Sequence, residues 1–531
     1  MRPLSSVTRQ KKLLKRTARK SPILPAGSRL DALLRKNQRI LIAGLCVYAG
    51  VRILFFAAAF PIGNNVDEQH HFDTVFRFVK GAAPQRELPP WDPYSAQFFA
   101  LYGSPEYLLS PELMEGTRWQ VPLAEMPPDL EARLYPQVLA WQKSRNVEAQ
   151  SPPVYYAAAA VWYRIGGWLG LGDWQRFYWV RFFNAAALSL LVWISYRFVS
   201  QVYPGHQFLH MAVPALVAVF PQDLFFGVTR DALTAPCAAL ALWLIFKLLL
   251  SPTDRPALAM AAGLGCALAF LVSVPNFVLF GALGLAFWAR TQSWSKRKSA
   301  GFPLREAALA ALGALLPTAL WMVHNYRIYG DLTASRSKIE ALTWTIKPAA
   351  EIFDHPMFSF SGASHFLAEL VRTFWRGEYT WHGHSLSLAA ADWLYIGSSG
   401  LLLAAFLFQL LRLRRTPWSL ERFSDFVLLF LVASSVLFMA AISLAFDFHD
   451  CVYPSRLHPY FVSGRIVFGV LLPFCILYVR GLEFAMSPIR SQVHPIFGLA
   501  FLVLVITAAE LVVSSPVFSS SFNLFALAGF R

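Results

Sequence analysis

The apolar positions of this chain fall into long runs separated by short polar turns, from residue 40 to the end. A run of about 20 apolar residues is long enough to cross the hydrocarbon core of a bilayer as a helix. About twelve segments approach or reach that length, near residues 40–60, 152–170, 179–199, 208–226, 232–250, 256–274, 276–290, 306–325, 393–411, 424–446, 463–480 and 495–513. The pattern predicts an all-α polytopic membrane protein.

The segment "SPPVYYAAAAVWYRIGGWLGLG" (151–172) decides the predicted topology. If it crosses the membrane, the basic loops 288–301 and 412–422 lie outside. If it lies in the interface, both loops are cytoplasmic, as the positive-inside rule requires. The segment also carries Arg164 and the tyrosines and tryptophans that favour the headgroup layer. We therefore expect about eleven transmembrane helices plus one interfacial helix, with the N-terminus inside and the C-terminus outside.

This topology divides the chain into four regions. The regions are a basic cytoplasmic tail (1–39), an N-terminal transmembrane module (40–326) that includes an outer loop (61–151), a second outer loop (327–391) and the C-terminal transmembrane helices (392–531). The expected location is the cytoplasmic (inner) membrane, with the two outer loops on the extracytoplasmic face.

Composition supports a membrane protein and argues against a nucleic-acid partner. Hydrophobic residues make up 56% of the chain and charged residues 15%, and the net charge is +16. The basic residues cluster in short loops and in the stretch "RQKKLLKRTARK" (residues 9–20), where they match the orientation rule and attract anionic lipid. The bilayer is therefore the expected partner, and the charge does not call for nucleic acid.

The stretch "NNVDEQHHFD" (64–73) concentrates acids and histidines just after the first span. With Asn64 or Asn65 as N-cap, it predicts an amphipathic helix that ends at Gly81 and lies flat on the outer leaflet. The apolar stripe would consist of Phe72, Val75, Phe76 and Val79. Asp67 would then face His70 and His71, and Glu68 would face His71, one helical turn away. The alternative interpretation is a solvated helix start, because acids favour the first turn.

Three other turns carry polar groups to the same predicted face. The groups are Arg230 and Asp231 in "VTRDALTAP", Asn325 and Tyr329 in "MVHNYRIYGDL", and Arg456 and Arg465 in "PSRLHPYFVSGR". Each turn also fits a membrane-interface anchor of arginine and aromatic side chains. Arg52, inside the first span, is expected to extend outward to the interface.

Together these turns predict a cavity with carboxylates on one side and guanidinium groups on the other. Arginine suits a phosphate through paired, charge-assisted hydrogen bonds. A carboxylate near lipid suits a general base. His70 and His71 with Asp67 or Glu68 could also bind a divalent metal, although the spacing is generic. No Walker loop, HExxH or GxSxG motif points to another chemistry.

The order of these motifs resembles that of the polyprenyl-phosphate-dependent glycosyltransferases of the GT-C superfamily. The resemblance rests on "VDEQHHF", "SPPVYYAAAAVWYRIGG", "VRFFNAAALSLLVWISYRFV" and "FPQDLFFGVTRDALTAPCAALALWL". It extends to a branch of predicted integral membrane proteins of unknown function, through "HNYRIYGD", "RTFWRGEYTWHGHSLS" and "SGRIVFGVLLP". The matches cover most of the chain from residue 40 to residue 480.

The resemblance implies a GT-C-like fold and an inverting transfer from a polyprenyl-phosphate-linked sugar to a glycan, lipid or protein acceptor. By position it implies Asp67 as the base with Glu68 beside it, Asp231 as a second acid, and Arg465 at the donor phosphate. His70, His71, Arg230, Asn325, Tyr329 and Arg456 complete the predicted substrate-binding set. The chain departs from the branch at Ile466, where a tyrosine is usual, and at Arg376 and Glu378, in a turn that is usually apolar and aromatic.

Two other functions fit the sequence. Acids and arginines in a membrane cavity also serve a transporter or a flippase for a lipid-linked or polar solute. Such a protein would show broken helices and charges near the middle of the membrane. A non-catalytic assembly protein is the third alternative.

Overall fold

The structure is a computed structural model that describes residues 26–104, 106, 122–297, 301–413, 416–489 and 492–529. The basic stretch 9–20, and with it most of the predicted tail, lies outside the described residues. The α-helices are α1 (Ala26–Ala59), α2 (Glu68–Lys80), α3 (Pro93–Tyr102), α4 (Pro128–Lys143), α5 (Pro153–Trp168), α6 (Asp173–Val202), α7 (Gln207–Ala218), α8 (Asp231–Leu249), α9 (Pro256–Val272), α10 (Val278–Arg290), α11 (Leu304–Tyr329), α12 (Arg336–Ala341), α13 (Phe360–Arg376), α14 (Ala389–Arg412), α15 (Leu420–Ala445), α16 (Leu471–Ala485), α17 (Pro495–Ser519) and α18 (Leu524–Leu527).

The predicted polytopic helical class is confirmed. Within the described residues, 8 helices are long and apolar enough to cross a membrane, and they include most of α1 and the whole of α6, α8, α11, α14 and α15. The other two are Gly464–Ala485 and Pro495–Leu527. Three shorter apolar helices, Gln207–Ala218, Pro256–Val272 and Val274–Arg290, coincide with three further predicted segments. Because these three helices are shorter than the other eight, the expected number of about eleven spans stays a prediction.

Helix α5 is not among these apolar helices. It forms from the segment 151–172 and packs against α2, α6 and α9. Its predicted position in the membrane interface stays a prediction, as do the four region boundaries and the sidedness of the chain.

Close helix packing in the main core depends on small residues. Gly263 of α9 and Gly313 of α11 face each other's helix so closely that a Cβ atom on either would collide with backbone of Ala310 or Met260. Small residues let helix backbones approach in a lipid environment, where van der Waals contact rather than water exclusion drives association. These two glycines therefore explain the long contact between α9 and α11.

A second, mostly aromatic core lies under α2. Phe72 and Val75 are fully buried, and Phe72 packs against Phe98 and Phe177 with ring centroids 4.9 Å apart in each case. Helix α2 ends as predicted at Gly81, at φ 67°. Its apolar stripe packs on α3, α5 and α6 and not on lipid, whereas the predicted position of α2 at the outer leaflet stays a prediction.

Arg52 also departs from expectation. Its guanidinium does not reach outward but forms a buried ion pair with Glu510 of α17, whose side chain is 5% exposed, and donates to the carbonyl of Phe220 at 3.2 Å. A charge inside a span is costly unless it is paired. A carboxylate 458 positions away provides the partner that the local sequence did not reveal.

The predicted loop 327–391 is folded. Short strand β1 (Thr345–Ile346) pairs antiparallel with a later strand, β4 (Phe446–Asp447). Strands β2 (Thr380–Trp381) and β3 (His384–Ser385) form a hairpin directly after α13. Helix α13 buries one face and packs against the 3₁₀ turn Gly464–Val470. This packing carries residues 377–378 to the start of α16.

The ends of the helices separate two kinds of charge. Helices α8 and α16 begin beside the acids described below, and at their other ends lie the ion pairs of Arg290 with Glu306 and of Arg480 with Asp425. The described parts of the basic loops 288–301 and 412–422 therefore lie at the ends of these helices that are far from the acids.

Candidate active site

One arginine gathers three carboxylates from distant parts of the chain. The Arg465 guanidinium lies 2.5 Å from Asp67 Oδ2, 3.6 Å from Asp231 Oδ2 and 3.3 Å from Glu378 Oε2. Ser463 donates its hydroxyl to Glu378 at 2.6 Å. We call Asp67, Asp231, Glu378 and Arg465 the Arg465 cluster. It joins the first loop, the start of α8, the turn after α13 and the approach to α16.

Local backbone geometry places each member. Asp67 precedes α2 at φ 57°, a left-handed conformation uncommon outside glycine, and its carboxylate does not cap that helix. It is therefore free to meet Arg465. Gly377, at φ 84°, allows the chain to turn before Glu378. Gly464 is required before Arg465, because a side chain there would collide with the backbone of Phe374.

Asp67 is the accessible member of the cluster. Its side chain is 34% exposed, whereas that of Asp231 is 2% exposed and those of Glu378 and Arg465 are 18% and 16% exposed. Burial raises the pKa of Asp67, but the Arg465 guanidinium and the Lys338 ammonium outweigh burial and hold the pKa well below its ordinary value. Asp67 is therefore ionised and open to a reactant.

Glu68, next to Asp67, points the other way. It is fully buried, and both its oxygens bond to Arg181, at 2.8 and 2.7 Å. The backbone N–H of Val228 donates to the same carboxylate at 2.7 Å. Arg181 also donates to the carbonyl of Pro61 at 2.7 Å. This pair ties α2 to α6 and to the turn before α8, so Glu68 holds the site together and does not face it.

His71 bridges α5 and the turn before α8. Its Nδ1 lies 2.8 Å from the Tyr156 hydroxyl and its Nε2 lies 3.2 Å from the Thr229 hydroxyl, which in turn lies 3.4 Å from Asp231 Oδ2. Burial lowers the pKa of His71 to about 3, so the ring is neutral. A hydroxyl chain of this kind orients Asp231. The predicted local pairing of His71 with Asp67 or Glu68 is wrong, because longer-range partners occupy both ring nitrogens.

His70 lies against Trp91, with ring centroids 5.0 Å apart. Its Nδ1 is buried without a hydrogen-bond partner, and burial lowers its pKa. The predicted N-caps are also displaced. Asn65 donates to the carbonyl of Asp223 at 3.1 Å and accepts from the Val66 N–H at 2.7 Å, so Asp67 takes the N-cap position.

Arg230 connects Asp231 to a second acidic group. Its Nη1 lies 3.3 Å from Glu148 Oε2 and donates to the Ser151 hydroxyl at 2.6 Å, and its Nε lies 3.8 Å from Asp231 Oδ1. Lys338 also pairs with Glu148. Burial raises the pKa of Glu148, but Arg230 and Lys338 outweigh burial and bring it well below its ordinary value. The Arg465 cluster thus extends into a row of alternating charge.

The remaining predicted binding residues lie elsewhere. Asn325 and Tyr329 line a separate cavity of about 140 Å³ beside Ser151. Arg456 is 63% exposed and pairs with Asp447 at 2.9 Å, outside the Arg465 cluster. The structure therefore brings Asp67, Asp231, Arg230 and Arg465 together, places Asn325 and Tyr329 next to them, and leaves Arg456 apart.

Sequence reasoning missed four ionisable groups of this region, namely Glu148, Asp223, Lys338 and Glu378. Glu378 carried a signal, since an acid interrupts an aromatic turn there. Asp223 carried another, in "FPQD". Burial and the nearby Glu378 raise the pKa of Asp223 to about 7, and Asp223 Oδ2 accepts the Glu378 backbone N–H at 3.1 Å. Glu148 and Lys338 lie in predicted loops and carried no local signal.

The predicted metal ligands do not form a set. Glu68 and His71 are bonded to other groups through both oxygens and both nitrogens, which leaves Asp67 and His70. Among the residues that the structure describes, no group of three or more His, Cys, Asp or Glu side chains is placed to hold an ion. The five cysteines are all free thiols.

The chain matches the family model described as "Predicted membrane protein (DUF2142)" over residues 51–448. This match confirms the resemblance to a branch of predicted integral membrane proteins. No curated protein matches the chain.

The chain is also similar to solved structures of two kinds of glycosyl-transferring protein. The Archaeoglobus fulgidus oligosaccharyltransferase in complex with Zn and sulfate has 14% identity and a TM-score of 0.40, with 90% of this chain and 53% of that chain covered. The arabinosyltransferase EmbB from Mycobacterium smegmatis has 12% identity and a TM-score of 0.36, with 85% and 41% covered. The A. fulgidus oligosaccharyltransferase AglB with an inhibitory peptide and a dolichol-phosphate has 12% identity and a TM-score of 0.36, with 92% and 56% covered.

This chain spans about half the length of these structures, with 41% to 56% of each covered. At these identities and TM-scores the similarity indicates no activity for this chain.

Proposed function

The chain belongs to the DUF2142 family of predicted membrane proteins, and we propose that it is an inverting membrane glycosyltransferase. It moves a sugar from a polyprenyl-phosphate donor to an acceptor hydroxyl on the extracytoplasmic face. The observation that carries the proposal is the position of Arg465 between Asp67 and Asp231, at 2.5 and 3.6 Å. An arginine that can bind a phosphate and a carboxylate that can act as a base thus lie together in one partly open site.

Arg465 is the proposed donor-phosphate ligand. Its planar fork forms paired hydrogen bonds with a phosphate as well as with carboxylates. In the free protein three carboxylates share this fork. A donor phosphate competes with them, and Asp67 is the member most readily displaced because its side chain is the most exposed.

Asp67 is the proposed general base. When Arg465 turns to the phosphate, Asp67 loses the charge that lowers its pKa, and burial raises its proton affinity. The carboxylate then accepts the proton of the acceptor hydroxyl. The hydroxyl oxygen forms a bond to the anomeric carbon from the face opposite the phosphate. The bond from that carbon to the phosphate oxygen breaks, and polyprenyl phosphate leaves.

Asp231 and Glu68 have supporting roles in this proposal. Asp231 is buried, and the Thr229–His71–Tyr156 chain orients it, so it holds Arg465 in the direction of the donor. Glu68 is a positioning residue that fixes the start of α2 through Arg181. The sequence places Glu68 among the catalytic residues beside the base, whereas in this proposal it acts indirectly by positioning α2.

The test is the substitution Asp67→Asn in protein reconstituted into liposomes with a panel of polyprenyl-phosphate-linked hexoses and pentoses. Membranes of a host that lacks the protein supply the acceptor. Release of polyprenyl phosphate and appearance of glycosylated product are measured together. Loss of the base is expected to lower the transfer rate by about 100-fold or more.

The matched control is Asp447→Asn, which removes the carboxylate that pairs with Arg456 outside the Arg465 cluster. This variant is expected to transfer sugar at the wild-type rate. Unchanged transfer by Asp67→Asn, with normal folding, would contradict the proposal.

A transporter or flippase for a lipid-linked solute is the second candidate, and the buried Arg52–Glu510 pair favours it. Both side chains are nearly inaccessible and lie in membrane-length helices, as charges on a transport pathway do. Its test is movement of a labelled lipid-linked sugar between leaflets. Movement without cleavage of the sugar–phosphate bond would support this candidate instead.

A further inference from the structure

A cavity lies apart from the Arg465 cluster and is connected to it through Ser151 and Arg230. Its volume is about 140 Å³, and it is bounded by the loop after α2, by residues 149–153 and by the last turns of α11. We call it the Gln150 cavity. A cavity of about 150 Å³ holds one benzene ring, which is smaller than a pyranose with its hydroxyl groups, so this cavity takes one face of a sugar ring and leaves the rest at its opening.

Gln150 gives the cavity an unsatisfied acceptor. The residue is 6% exposed, its Nε2 donates to the carbonyl of Arg86 at 3.2 Å, and its Oε1 is buried without a hydrogen-bond partner. A buried, unpaired amide oxygen is costly. Because Oε1 is itself covered, the Gln150 side chain must turn toward the cavity before a ligand hydroxyl can donate to it, and that hydrogen bond would remove the cost.

The walls suit a neutral polyol. Trp321, Tyr329 and Phe78 supply aromatic surface, and Gln150 and Asn325 supply amides. A few fixed polar groups among aromatic walls are typical of a small-molecule site. Sugar rings carry both apolar C–H faces and hydroxyl edges, and such walls match both.

The charge of the cavity argues against a phosphate ligand. Among its lining residues the one permanently charged side chain is Arg77. Arg77 already pairs with Asp73 at 2.8 Å and also donates to the carbonyl of Pro90. A phosphate would find no uncommitted guanidinium here, whereas Arg465 serves that purpose in the neighbouring cluster.

Ser151 connects the two sites. It lines the Gln150 cavity, accepts a hydrogen bond from Arg230 at 2.6 Å and donates to Glu148 at 2.5 Å. Arg230 also contacts Asp231 of the Arg465 cluster. A sugar in the cavity would therefore contact the Ser151–Arg230 row that leads to Asp231 of the Arg465 cluster.

We propose that the Gln150 cavity binds one neutral sugar ring of the acceptor. That the bound sugar belongs to an acceptor rests on the proposed glycosyltransferase function. That the cavity binds a sugar ring rests on the cavity alone. The acceptor class is therefore a glycan or glycolipid that presents a pyranose, and Gln150, Trp321 and Tyr329 are its binding residues.

The test compares wild type with Gln150→Leu, which keeps the size of the side chain and removes the amide. Binding of methyl pyranosides of several hexoses is measured by saturation-transfer NMR on the full-length protein in nanodiscs. Gln292→Leu, in the turn beyond α10 and outside the cavity lining, is the matched control. Loss of one buried hydrogen bond is expected to weaken binding by about tenfold, and the control is expected to bind as wild type does.

Transfer kinetics separate this inference from the proposed function. Gln150→Leu is expected to raise the acceptor KM by about tenfold and to leave the donor KM unchanged. If wild type transfers sugar and Gln150→Leu alters neither pyranoside binding nor the acceptor KM, the cavity inference is overturned and the function stands. If no transfer occurs but pyranoside binding depends on Gln150, the cavity binds sugar and the glycosyltransferase proposal fails. Binding of inorganic phosphate in place of pyranosides would overturn the inference.

Discussion

The guanidinium of Arg465 lies 2.5 Å from the carboxylate of Asp67, although 398 positions separate the two residues. The same guanidinium reaches Asp231 at 3.6 Å and Glu378 at 3.3 Å. Three carboxylates compete for one guanidinium, and a bound phosphate can displace one of them. The predictions below depend on this competition and on the buried pairs that support it.

Two arginines that the sequence treats alike are expected to behave differently. Arg465→Ala removes the proposed phosphate ligand and should lower transfer by about 100-fold or more, since a charged group that stabilises a developing phosphate contributes about 3–4 kcal/mol. Arg456→Ala removes an exposed side chain that pairs with Asp447 outside the Arg465 cluster. Its transfer rate should equal that of wild type. Both variants are assayed by polyprenyl phosphate release, and equal loss in the two would refute this distinction.

Glu68 is expected to act on stability before it acts on transfer. Glu68→Gln leaves the fully buried Arg181 charge without its partner. Removing one member of a buried ion pair costs about 3–5 kcal/mol. The melting temperature in detergent should fall sharply, and the Glu68→Gln, Arg181→Met double variant should recover part of the loss. Glu68→Gln protein that remains folded should still transfer sugar. Folded Asp67→Asn protein should not. A normally stable but inactive Glu68→Gln would instead indicate direct catalysis.

Asp223 is expected to make stability depend on pH. Its pKa in the folded protein is raised to about 7, so it favours the neutral carboxyl. Its contribution to stability is complete below the ordinary aspartate pKa and is lost as pH rises through about 7. Wild type should therefore lose stability relative to Asp223→Asn between about pH 4 and pH 7, by about 1.4 kcal/mol per pH unit at most.

Thermal unfolding of the two proteins across this pH range checks the prediction. Asp447→Asn serves as the comparison, because Arg456 lowers the pKa of Asp447 to about 2. The contribution of Asp447 to stability is lost only as pH falls through about 2. The difference in unfolding free energy between wild type and Asp447→Asn should therefore stay constant from about pH 5 to pH 8. Parallel curves for wild type and Asp223→Asn would contradict the raised pKa.

The Arg52–Glu510 pair separates the two candidate functions. Glu510→Met alone leaves Arg52 buried and unpaired and should destabilise the protein by about 3–5 kcal/mol. The Arg52→Met, Glu510→Met double variant replaces the pair by apolar groups and should be as stable as wild type or more so. We expect it to transfer sugar normally. If it folds but no longer moves a lipid-linked sugar between leaflets, a transport function would be favoured.

The helical segments were predictable because each is decided locally. Every backbone group in the hydrocarbon layer must bond within its own helix, so composition along about 20 residues suffices to recognise a span. The same holds for α2, whose stripe and whose end at Gly81 follow from helical periodicity and from a left-handed glycine. The residues that cover this apolar stripe could not be predicted locally, because they lie far away in the sequence. Phe98 and Phe177 lie 26 and 105 positions after Phe72, on two other helices.

The candidate site was predictable only in part. Asp67, Asp231 and Arg465 were identified because charged residues at the ends of apolar helices stand out. Glu148 and Lys338 were missed because they lie in polar loops, where charge is ordinary.

The amino-acid sequence by itself determined that this chain spans membranes and that acids and arginines flank its helices. The tertiary structure alone decided which of two adjacent acids is open to a reactant. Asp67 is the N-cap in a left-handed conformation and Glu68 is the first helical residue, so the two side chains leave the backbone in different directions. Glu68 faces inward because Arg181, 113 positions away, meets it there. Asp67 is left to face Arg465.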